Sequence, residues 1–279
     1  MIPQEIGSGR SSFSLQLPPV IGHRGAAAHA PENTLAGLHC AKALGVAWVE
    51  FDVRLTADGA PVLCHDDRLD RTTDRTGPVV GQSLATIREC DAGSWFGPAF
   101  AGELVPTLEE ALALAVELNL GVNIEIKADP GREYASAAAV ADTIERFGPA
   151  PPLYVSSFLP TAVATLRDLA PRVARGILFR AVPSGWVDVA RRLEVAIIGA
   201  DHRRLRPRRV AGIRAAGYPI AAYTVNDPAR AHLLFAWGVT SVFSDVPDMI
   251  LRDCAADQPL PPTPWARPQA ARAHQGARQ

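Results

Sequence analysis

The feature that most constrains the fold is a regular alternation of short β-rich runs with longer helical stretches along most of the chain. Each run is rich in Val, Ile or aromatic residues, and Ala- and Leu-rich stretches with helical spacing follow the runs. The predicted strands are Val20–Gly25, Trp48–Leu55, Val122–Ala128, Leu153–Phe158, Gly176–Phe179, Val195–Ala200, Ile220–Val225 and Ser241–Ser244. Eight strand–helix units predict an α/β fold of the (β/α)8 TIM-barrel type.

The predicted helices support this arrangement, and several begin with a proline at a position where a missing N–H is harmless. They span Thr34–Leu44, Leu108–Leu118, Tyr134–Phe147, Pro160–Leu169, Trp186–Leu193, Pro207–Ala216, Pro228–Trp237 and Pro247–Arg252. A doubly wound open sheet is the alternative, but it usually has a Gly-rich phosphate loop after its first strand. Here the first strand runs into GHRGAAAHAPEN, which lacks the G-x-G-x-x-G spacing.

The chain length of 279 residues fits a single barrel with short additions. We predict a loose lead-in over 1–18, the barrel over 19–254 and a disordered tail over 255–279, where Pro, Ala, Arg and Gln dominate. A segment over about 57–106 interrupts the alternation after the second strand with an extra strand-like run, VLCHD, and a long irregular stretch. In a barrel this insertion would lie over the face where active sites form.

Composition excludes several classes of function. A hydrophobic content of 48% allows a large core, and a net charge of −1 without a basic stripe argues against a nucleic-acid or membrane-surface binder. No apolar run reaches the roughly 20 residues that span a bilayer, and the first residues lack the pattern of a secretory signal. The cysteines show no paired spacing, so we interpret Cys40 and Cys64 as reduced core thiols and expect a cytoplasmic protein.

Two carboxylates share one face of the second predicted strand, WVEFDVRL. With the two-residue period of a strand, Glu50 and Asp52 point to the same side as Trp48 and Arg54, and the apolar residues point to the other. An edge strand with one solvated face is the alternative. In a parallel barrel both faces are covered, so the two carboxylates would point into the barrel mouth and repel each other unless a cation lies between them.

The run GVNIEIKA repeats the pattern and adds Glu125 and Lys127 on one face, although a local Glu–Lys pair is the simpler interpretation. Together, Glu50, Asp52 and Glu125 form a hard, all-oxygen ligand set that favours Mg²⁺ or Ca²⁺ over Zn²⁺. A phosphate ligand would add negative charge, and Arg24 and Lys127 would balance it, since arginine grips phosphate oxygens with two donors.

Two histidines, His23 and His65, end strand-like runs near these carboxylates. A pair of histidines with an ordinary pKa near 6.5 supplies both the base and the acid that phosphodiester cleavage needs at neutral pH. The segment Pro31–Thr34 is predicted to open a helix, with Asn33 or Thr34 as its cap. Glu32 is expected to steady the His-Arg loop by hydrogen bonding.

The sequence resembles the glycerophosphodiester phosphodiesterase family over about residues 20–252. The motifs that carry the resemblance are GHRG…PENTLAG, VEFDVRLTADGAPVLCHDDRLDRTTDRTG, VPTLEEAL, NIEIK, VSSF, YTVND and FSDVPD. It implies a TIM barrel with an insertion, a divalent metal and hydrolysis of glycerophosphodiesters, such as glycerophosphocholine or glycerophosphoethanolamine, to sn-glycerol 3-phosphate and an alcohol.

The resemblance also implies roles for individual residues, which agree with those reasoned from the strand faces. Its metal ligands match Glu50, Asp52 and Glu125; its acid–base pair matches His23 and His65; its phosphate contacts match Arg24 and Lys127; and a supporting carboxylate matches Glu32. Phe158 and Tyr223 are expected at the pocket wall. In the family, Trp is frequent at the position of Tyr223 and Thr at that of Ser244, which leaves the substrate preference open.

Several alternatives remain at this point. A lysophospholipase D-like enzyme on the same barrel would need an apolar rim, which the insertion could contain, and a non-catalytic binding module would be expected to lack a site residue. A sugar-phosphate isomerase would need a glycine-rich phosphate loop near the last strands, which YTVND and FSDVPD do not provide. Trp95 and Phe96 in the insertion lie over the mouth or, as we expect, only pin the insertion to the barrel.

Overall fold

The structure, a computed structural model, describes residues 15–256 and contains a closed parallel barrel with one extra strand. The nine strands are β1 (Val20–Gly22), β2 (Trp48–Leu55), β3 (Pro61–Leu63), β4 (Gly121–Ile126), β5 (Leu153–Ser157), β6 (Ala174–Phe179), β7 (Ile197–Asp201), β8 (Ile220–Tyr223) and β9 (Ser241–Ser244). Strand β1 pairs in parallel with both β9 and β2, which closes the barrel, and β3 runs antiparallel beside β2. The predicted (β/α)8 architecture is therefore confirmed.

Helices connect the strands and cover the outside of the barrel. They are α1 (Leu35–Ala43), α2 (Leu84–Ile87), α3 (Leu108–Glu117), α4 (Glu133–Phe147), α5 (Pro160–Leu169), α6 (Trp186–Arg192), α7 (Pro207–Ala215), α8 (Pro228–Trp237) and α9 (Pro247–Ala256). The first strand is shorter than predicted because Arg24 and Gly25 adopt positive φ angles of 51° and 89°, which end the extended backbone before Gly25. Within residues 15–256, no helix has both the length and the hydropathy that a membrane span requires.

Apolar side chains fill the lower part of the barrel interior. Trp48 and Tyr154 lie there with their ring centroids 6.2 Å apart, and both are buried. Gly121 is required beside them, because a Cβ at this position would come within 2.1 Å of the Trp48 ring. This aromatic plug closes the barrel from below, so polar side chains that point inward gather above it, at the carboxyl ends of the strands.

The insertion is a small folded unit with a core of its own rather than an extended loop. Its buried residues are Val62, Cys64, Leu69, Val79, Ile87, Cys90, Ala92 and Val105. Isolated antiparallel bridges join Arg68 to Pro78 and Asp91 to Leu104. This packing fixes the segment beside β2 and so places residues of the insertion next to the barrel mouth.

The predicted ends of the chain lie largely outside the described residues. Of the lead-in over 1–18, the structure describes only 15–18, and of the tail over 255–279 it describes only the last two residues of α9. The domain limits given above therefore stay a prediction.

Candidate active site

A cavity of about 420 Å³ lies at the carboxyl ends of the barrel strands. The predicted site residues that line it are His23, Arg24, Glu50, His65, Glu125, Lys127, Phe158 and Tyr223. Asp52 lies just beneath the surface of the cavity and is 1% exposed. Glu32 lies on the outer side of Arg24 and lines a neighbouring cavity instead. Every residue assigned from the sequence is thus in or directly beside one region.

The three predicted metal ligands form one buried cluster. Asp52 and Glu125 are direct neighbours in the register of β2 and β4, and Glu50 lies one pleat earlier on the same face. One carboxylate oxygen from each of the three residues lies within 4.8 Å of the others. Glu50 Oε1 is buried and accepts no hydrogen bond from any described residue. An orphaned carboxylate oxygen is costly to bury, and a divalent cation would satisfy it, so the ligand set fits a metal.

Burial and the charges around the cluster shift the pKa values of its carboxylates in different directions. Burial raises the pKa of Glu50 to about 8, and the neighbouring Asp52 carboxylate adds to this effect. Burial acts in the same direction on Asp52, but Lys127 and Arg24 outweigh it and keep the pKa of Asp52 well below its usual range. Burial raises the pKa of Glu125 as well, against the influence of Lys127. Burial and mutual repulsion therefore favour the protonated forms of Glu50 and Glu125, and a divalent cation would favour the ionised forms.

Asn33 clamps Asp52 in place. Its side-chain Nδ2 donates to Asp52 Oδ2 at 2.9 Å, and its side-chain Oδ1 accepts from the backbone N–H of Asp52 at 3.0 Å. The helix cap of α1 is Thr34, whose hydroxyl accepts from the N–H of Gly37 at 3.1 Å. The prediction that Asn33 or Thr34 caps this helix is therefore confirmed, with Thr34 as the cap, while Asn33 has a positive φ of 57° and binds Asp52 instead.

The two predicted phosphate-binding cations lie against the carboxylates. Arg24 donates from its backbone N–H to Glu50 at 3.0 Å and from Nη1 to Glu32 at 2.7 Å, and its Nε lies 3.2 Å from Asp52 Oδ2. Lys127 Nζ lies 3.2 Å from Asp52 Oδ1 and forms an ion pair with Glu125. Burial opposes both charges, but the surrounding carboxylates dominate and raise the pKa of both side chains. Both remain cationic.

Each candidate catalytic histidine has a carboxylate at Nδ1. His23 Nδ1 lies 2.6 Å from Asp245 Oδ1, and His65 Nδ1 lies 2.7 Å from Asp66 Oδ1. A carboxylate at Nδ1 selects the tautomer and leaves Nε2 free to exchange a proton. His23 Nε2 lies 3.9 Å from Glu50 Oε2, within the inner part of the cavity.

The environments of the two histidines also separate their proton affinities. Burial disfavours the charged form of His23, but the hydrogen bond to Asp245 and the charge of Glu50 outweigh it and raise its pKa. Burial lowers the pKa of His65, and Arg24 and Lys127 act in the same direction against Asp52. Such a separation is typical of two groups that act as acid and base.

Sequence reasoning did not assign Asp245 or Arg71. Asp245 directly follows β9, and it could have been found as a carboxylate at the end of the strand that pairs with β1. Its other oxygen accepts from Asn226 Nδ2 at 2.6 Å. Arg71 belongs to the insertion, where no strand or helix period indicates its direction. It donates to both oxygens of Glu32, at 2.7 and 2.8 Å, and to both oxygens of Asp66, at 2.8 and 3.1 Å.

Aromatic residues border the site on two sides. Phe158 and Tyr223 form the inner wall with centroids 5.6 Å apart, and the Tyr223 hydroxyl donates to the carbonyl of Phe179 at 2.8 Å. Trp95 and Phe96 pack together in the insertion at 5.6 Å and line a second cavity beside His23. The two rings thus lie beside the barrel mouth, and whether they do more than pin the insertion to the barrel stays a prediction.

Comparisons with known proteins show which proteins this chain is similar to. The glycerophosphoryl diester phosphodiesterase family matches residues 23–249. A glycerophosphodiester phosphodiesterase from Bacillus subtilis is 32% identical over 246 residues, which cover 82% of this chain and 84% of that protein. Another from Caldanaerobacter subterraneus is 32% identical over 237 residues and covers 83% and 96%. A solved Oleispira antarctica phosphodiesterase, in complex with the product sn-glycerol-3-phosphate, shares 40% identity at a TM-score of 0.84 and covers 86% and 97%.

Proposed function

The chain belongs to the glycerophosphoryl diester phosphodiesterase family, and from this premise we propose that it hydrolyses glycerophosphodiesters to sn-glycerol 3-phosphate and an alcohol. Glycerophosphocholine and glycerophosphoethanolamine are the proposed substrates. The observation that carries the proposal is the juxtaposition of a buried carboxylate cluster, two cations and two carboxylate-bound histidines around one cavity. Phosphodiester hydrolysis uses each of these groups.

We propose that Glu50, Asp52 and Glu125 hold a divalent cation, either Mg²⁺ or Ca²⁺. Three carboxylates form an all-oxygen ligand set, which suits these hard ions, and Glu50 Oε1 is buried without a hydrogen-bond partner among the described residues. When bound, such an ion supplies Lewis-acid polarisation of a phosphoryl oxygen. Asn33 keeps the Asp52 carboxylate in the orientation in which it faces the other two.

Arg24 and Lys127 are the proposed phosphate contacts. Both are half-buried beside the carboxylates and remain charged, so they can balance the negative charge that grows on the phosphoryl oxygens in the transition state. Their positions are fixed before substrate binds, because Glu32 holds the Arg24 guanidinium and Glu125 pairs with the Lys127 ammonium. A fixed charge costs little reorganisation during the reaction.

His23 and His65 are the proposed acid–base pair. One removes a proton from the attacking hydroxyl and the other returns a proton to the leaving alkoxide. Asp245 and Asp66 hold the two rings at Nδ1, so each Nε2 is available for this exchange. The attacking hydroxyl belongs either to water or to C2 of the glycerol, and transient cyclic phosphate among the products would identify the second route.

One assay tests the proposal. The protein is incubated with glycerophosphocholine, glycerophosphoethanolamine and a lysophospholipid, each with Mg²⁺, with Ca²⁺ and with EDTA. We expect glycerol 3-phosphate from the first two substrates and its loss with EDTA. Lysophosphatidic acid from the lysophospholipid, without glycerol 3-phosphate from the other two, would instead identify a lysophospholipase D-type enzyme. Absence of both products would overturn the proposal.

A further inference from the structure

A second cavity of about 420 Å³ adjoins the first and shares His23 and Arg24 with it. We call the first the inner cavity and the second the outer cavity. Besides His23 and Arg24, the outer cavity is lined by Glu32, Trp95, Phe96 and Asp245, among others. We propose that the outer cavity binds the alcohol moiety of the substrate and favours alcohols that carry an ammonium group. This inference rests on the proposed function and extends it to the recognition of the group that leaves.

The position of the outer cavity follows from the shape of a phosphodiester. Two substituents diverge from the phosphorus, so a phosphate held at Arg24 and His23 needs space on both sides. The inner side holds Glu125 and Lys127, which suit the hydroxyl groups of glycerol. The outer side lacks the carboxylate cluster, and Ala27 and Ala28 leave room in its lining. The constant glycerol arm therefore fits the inner cavity and the variable alcohol fits the outer one.

The Trp95 ring gives the outer cavity its chemical preference. The side chain is 40% exposed, and its indole N–H already donates to the carbonyl of Ala92 at 2.8 Å. The Phe96 ring packs against it edge-on, at an interplanar angle of 90°, which supports the indole. Since its N–H is engaged, the indole can offer a ligand in the outer cavity its π system, which attracts an ammonium or quaternary ammonium group and repels an anion.

The charges around the outer cavity are engaged with one another and do not oppose this preference. Its two guanidinium groups are already engaged: Arg24 pairs with Glu32, and Arg71 pairs with Glu32 and Asp66. Asp245 adds a further carboxylate beside His23. Among the lining residues, the two carboxylates Glu32 and Asp245 therefore match the two guanidinium groups in number, and neither guanidinium is left unpaired to attract an anionic alcohol. The preference for a positive charge rests on the Trp95 ring.

The test compares two substrates that differ mainly in the charge of the alcohol, glycerophosphocholine and glycerophosphoglycerol. We expect the ratio of their kcat/KM values to fall about fivefold in Trp95→Ala, because an exposed cation–π contact is lost. Trp95→Phe is the matched variant, since it removes the indole N–H and keeps an aromatic face. It should retain most of the ratio. An equal loss of the ratio in both variants would show that the hydrogen bond to Ala92 matters and would overturn the inference.

A binding measurement separates this inference from the proposed function. Choline chloride is titrated into the wild-type protein and into Trp95→Ala, and contact is followed by saturation-transfer NMR. Binding that weakens in the variant supports the outer cavity whether or not any diester is hydrolysed. Hydrolysis of both diesters with an unchanged ratio in Trp95→Ala would refute the inference and leave the phosphodiesterase proposal intact. If the wild type hydrolyses no diester, the proposed function itself is refuted. If the wild type also fails to bind choline, the inference is overturned as well.

Discussion

The two sides of the barrel mouth differ sharply in chemistry. The side built from β1, β2 and β4 carries Glu50, Asp52, Glu125 and Lys127, each in contact with at least one other charged group. The opposite wall, from β5 to β8, presents Phe158, Leu178 and Tyr223, with Arg180 as its cation. Neighbouring parallel strands end close together, so three adjacent strands suffice to assemble the charged side. The difference supports the proposed division of labour, in which one side performs the chemistry and the other shapes the space around the substrate.

Removing a carboxylate from the charged side should have the largest effect. We expect Glu50→Gln or Asp52→Asn to lower kcat/KM by about a thousandfold, because the ligand set for the divalent ion loses charge worth several kcal/mol of stabilisation. Hydrolysis of glycerophosphocholine and metal binding by calorimetry measure the effect. Glu109→Gln, an exposed carboxylate of α3, is the control and should retain activity. Turnover at the wild-type level in metal-depleted Glu50→Gln would contradict the metal assignment.

The pair of Asp245 and His23, which follow β9 and β1, offers a second test of the charged side. Asp245→Asn should lower kcat by about a hundredfold with little change in KM, because His23 loses the carboxylate that orients its ring. Asp248→Asn is a matched control, since Asp248 binds His29 Nε2 at 2.8 Å in a similar pair that does not line the inner cavity. Equal losses in the two variants would show that the histidine–carboxylate pairs act through the fold rather than through the site.

The pH dependence of metal binding tests the protonation state of the cluster. Since the pKa of Glu50 is raised to about 8, its proton must leave when a divalent ion binds below that pH. The affinity for Mg²⁺ or Ca²⁺ should rise by up to about tenfold per unit between pH 6 and pH 8 and level off above it. Isothermal titration in buffers of different ionisation enthalpy measures the released proton. A flat affinity over this range would contradict the raised pKa.

The raised pKa of Glu50 also determines how the stability of the protein in EDTA depends on pH. The folded chain holds a Glu50 proton that the unfolded chain loses above its ordinary pKa of 4.5. The stability that Glu50 contributes is therefore full below about pH 4.5 and is lost as the pH rises through about 8. Thermal unfolding in EDTA should show this slope in the wild type, and Glu50→Gln should reduce it.

A variant of the insertion tests how far the charged side extends. Arg71→Gln should lower kcat by about tenfold, because Glu32 and Asp66 lose the side chain that holds them beside Arg24 and His65. In Arg71→Ala, added guanidinium at millimolar concentration should restore part of the loss. Arg68→Gln is the control, since Arg68 pairs with Asp70 at 3.1 Å within the same insertion. Absence of rescue together with an unfolded insertion would assign Arg71 a structural role only.

The opposite wall should give the smallest effect. Tyr223→Phe removes only the hydrogen bond to the carbonyl of Phe179, and we expect KM to rise about threefold with kcat nearly unchanged. Steady-state kinetics with glycerophosphocholine measure this directly. A loss of kcat comparable to that of Asp245→Asn would break the division between a reacting side and a shaping wall.

Much of the site could be predicted because local patterns determine it. The period of two in β2 and β4 puts Glu50, Asp52 and Glu125 on one face, and a parallel barrel allows a polar face only at its mouth. Asn33 could not be assigned in this way. A residue just before a helix is most often a cap, and only its left-handed backbone conformation shows that it faces Asp52 instead.

Local patterns in the sequence account for the number of strand–helix units, the inward carboxylates and the two histidines at strand ends, because each depends on residues a few positions apart. The tertiary structure is needed to see which carboxylate pairs with His23 and which side chains hold Glu32 beside Arg24. Asp245 lies 222 residues from His23, and Arg71 lies 39 residues from Glu32. Barrel closure between β1 and β9 brings the first pair together, and the packing of the insertion brings the second pair together. Neither contact produces a periodic pattern within a short stretch of sequence, so sequence patterns could not predict it.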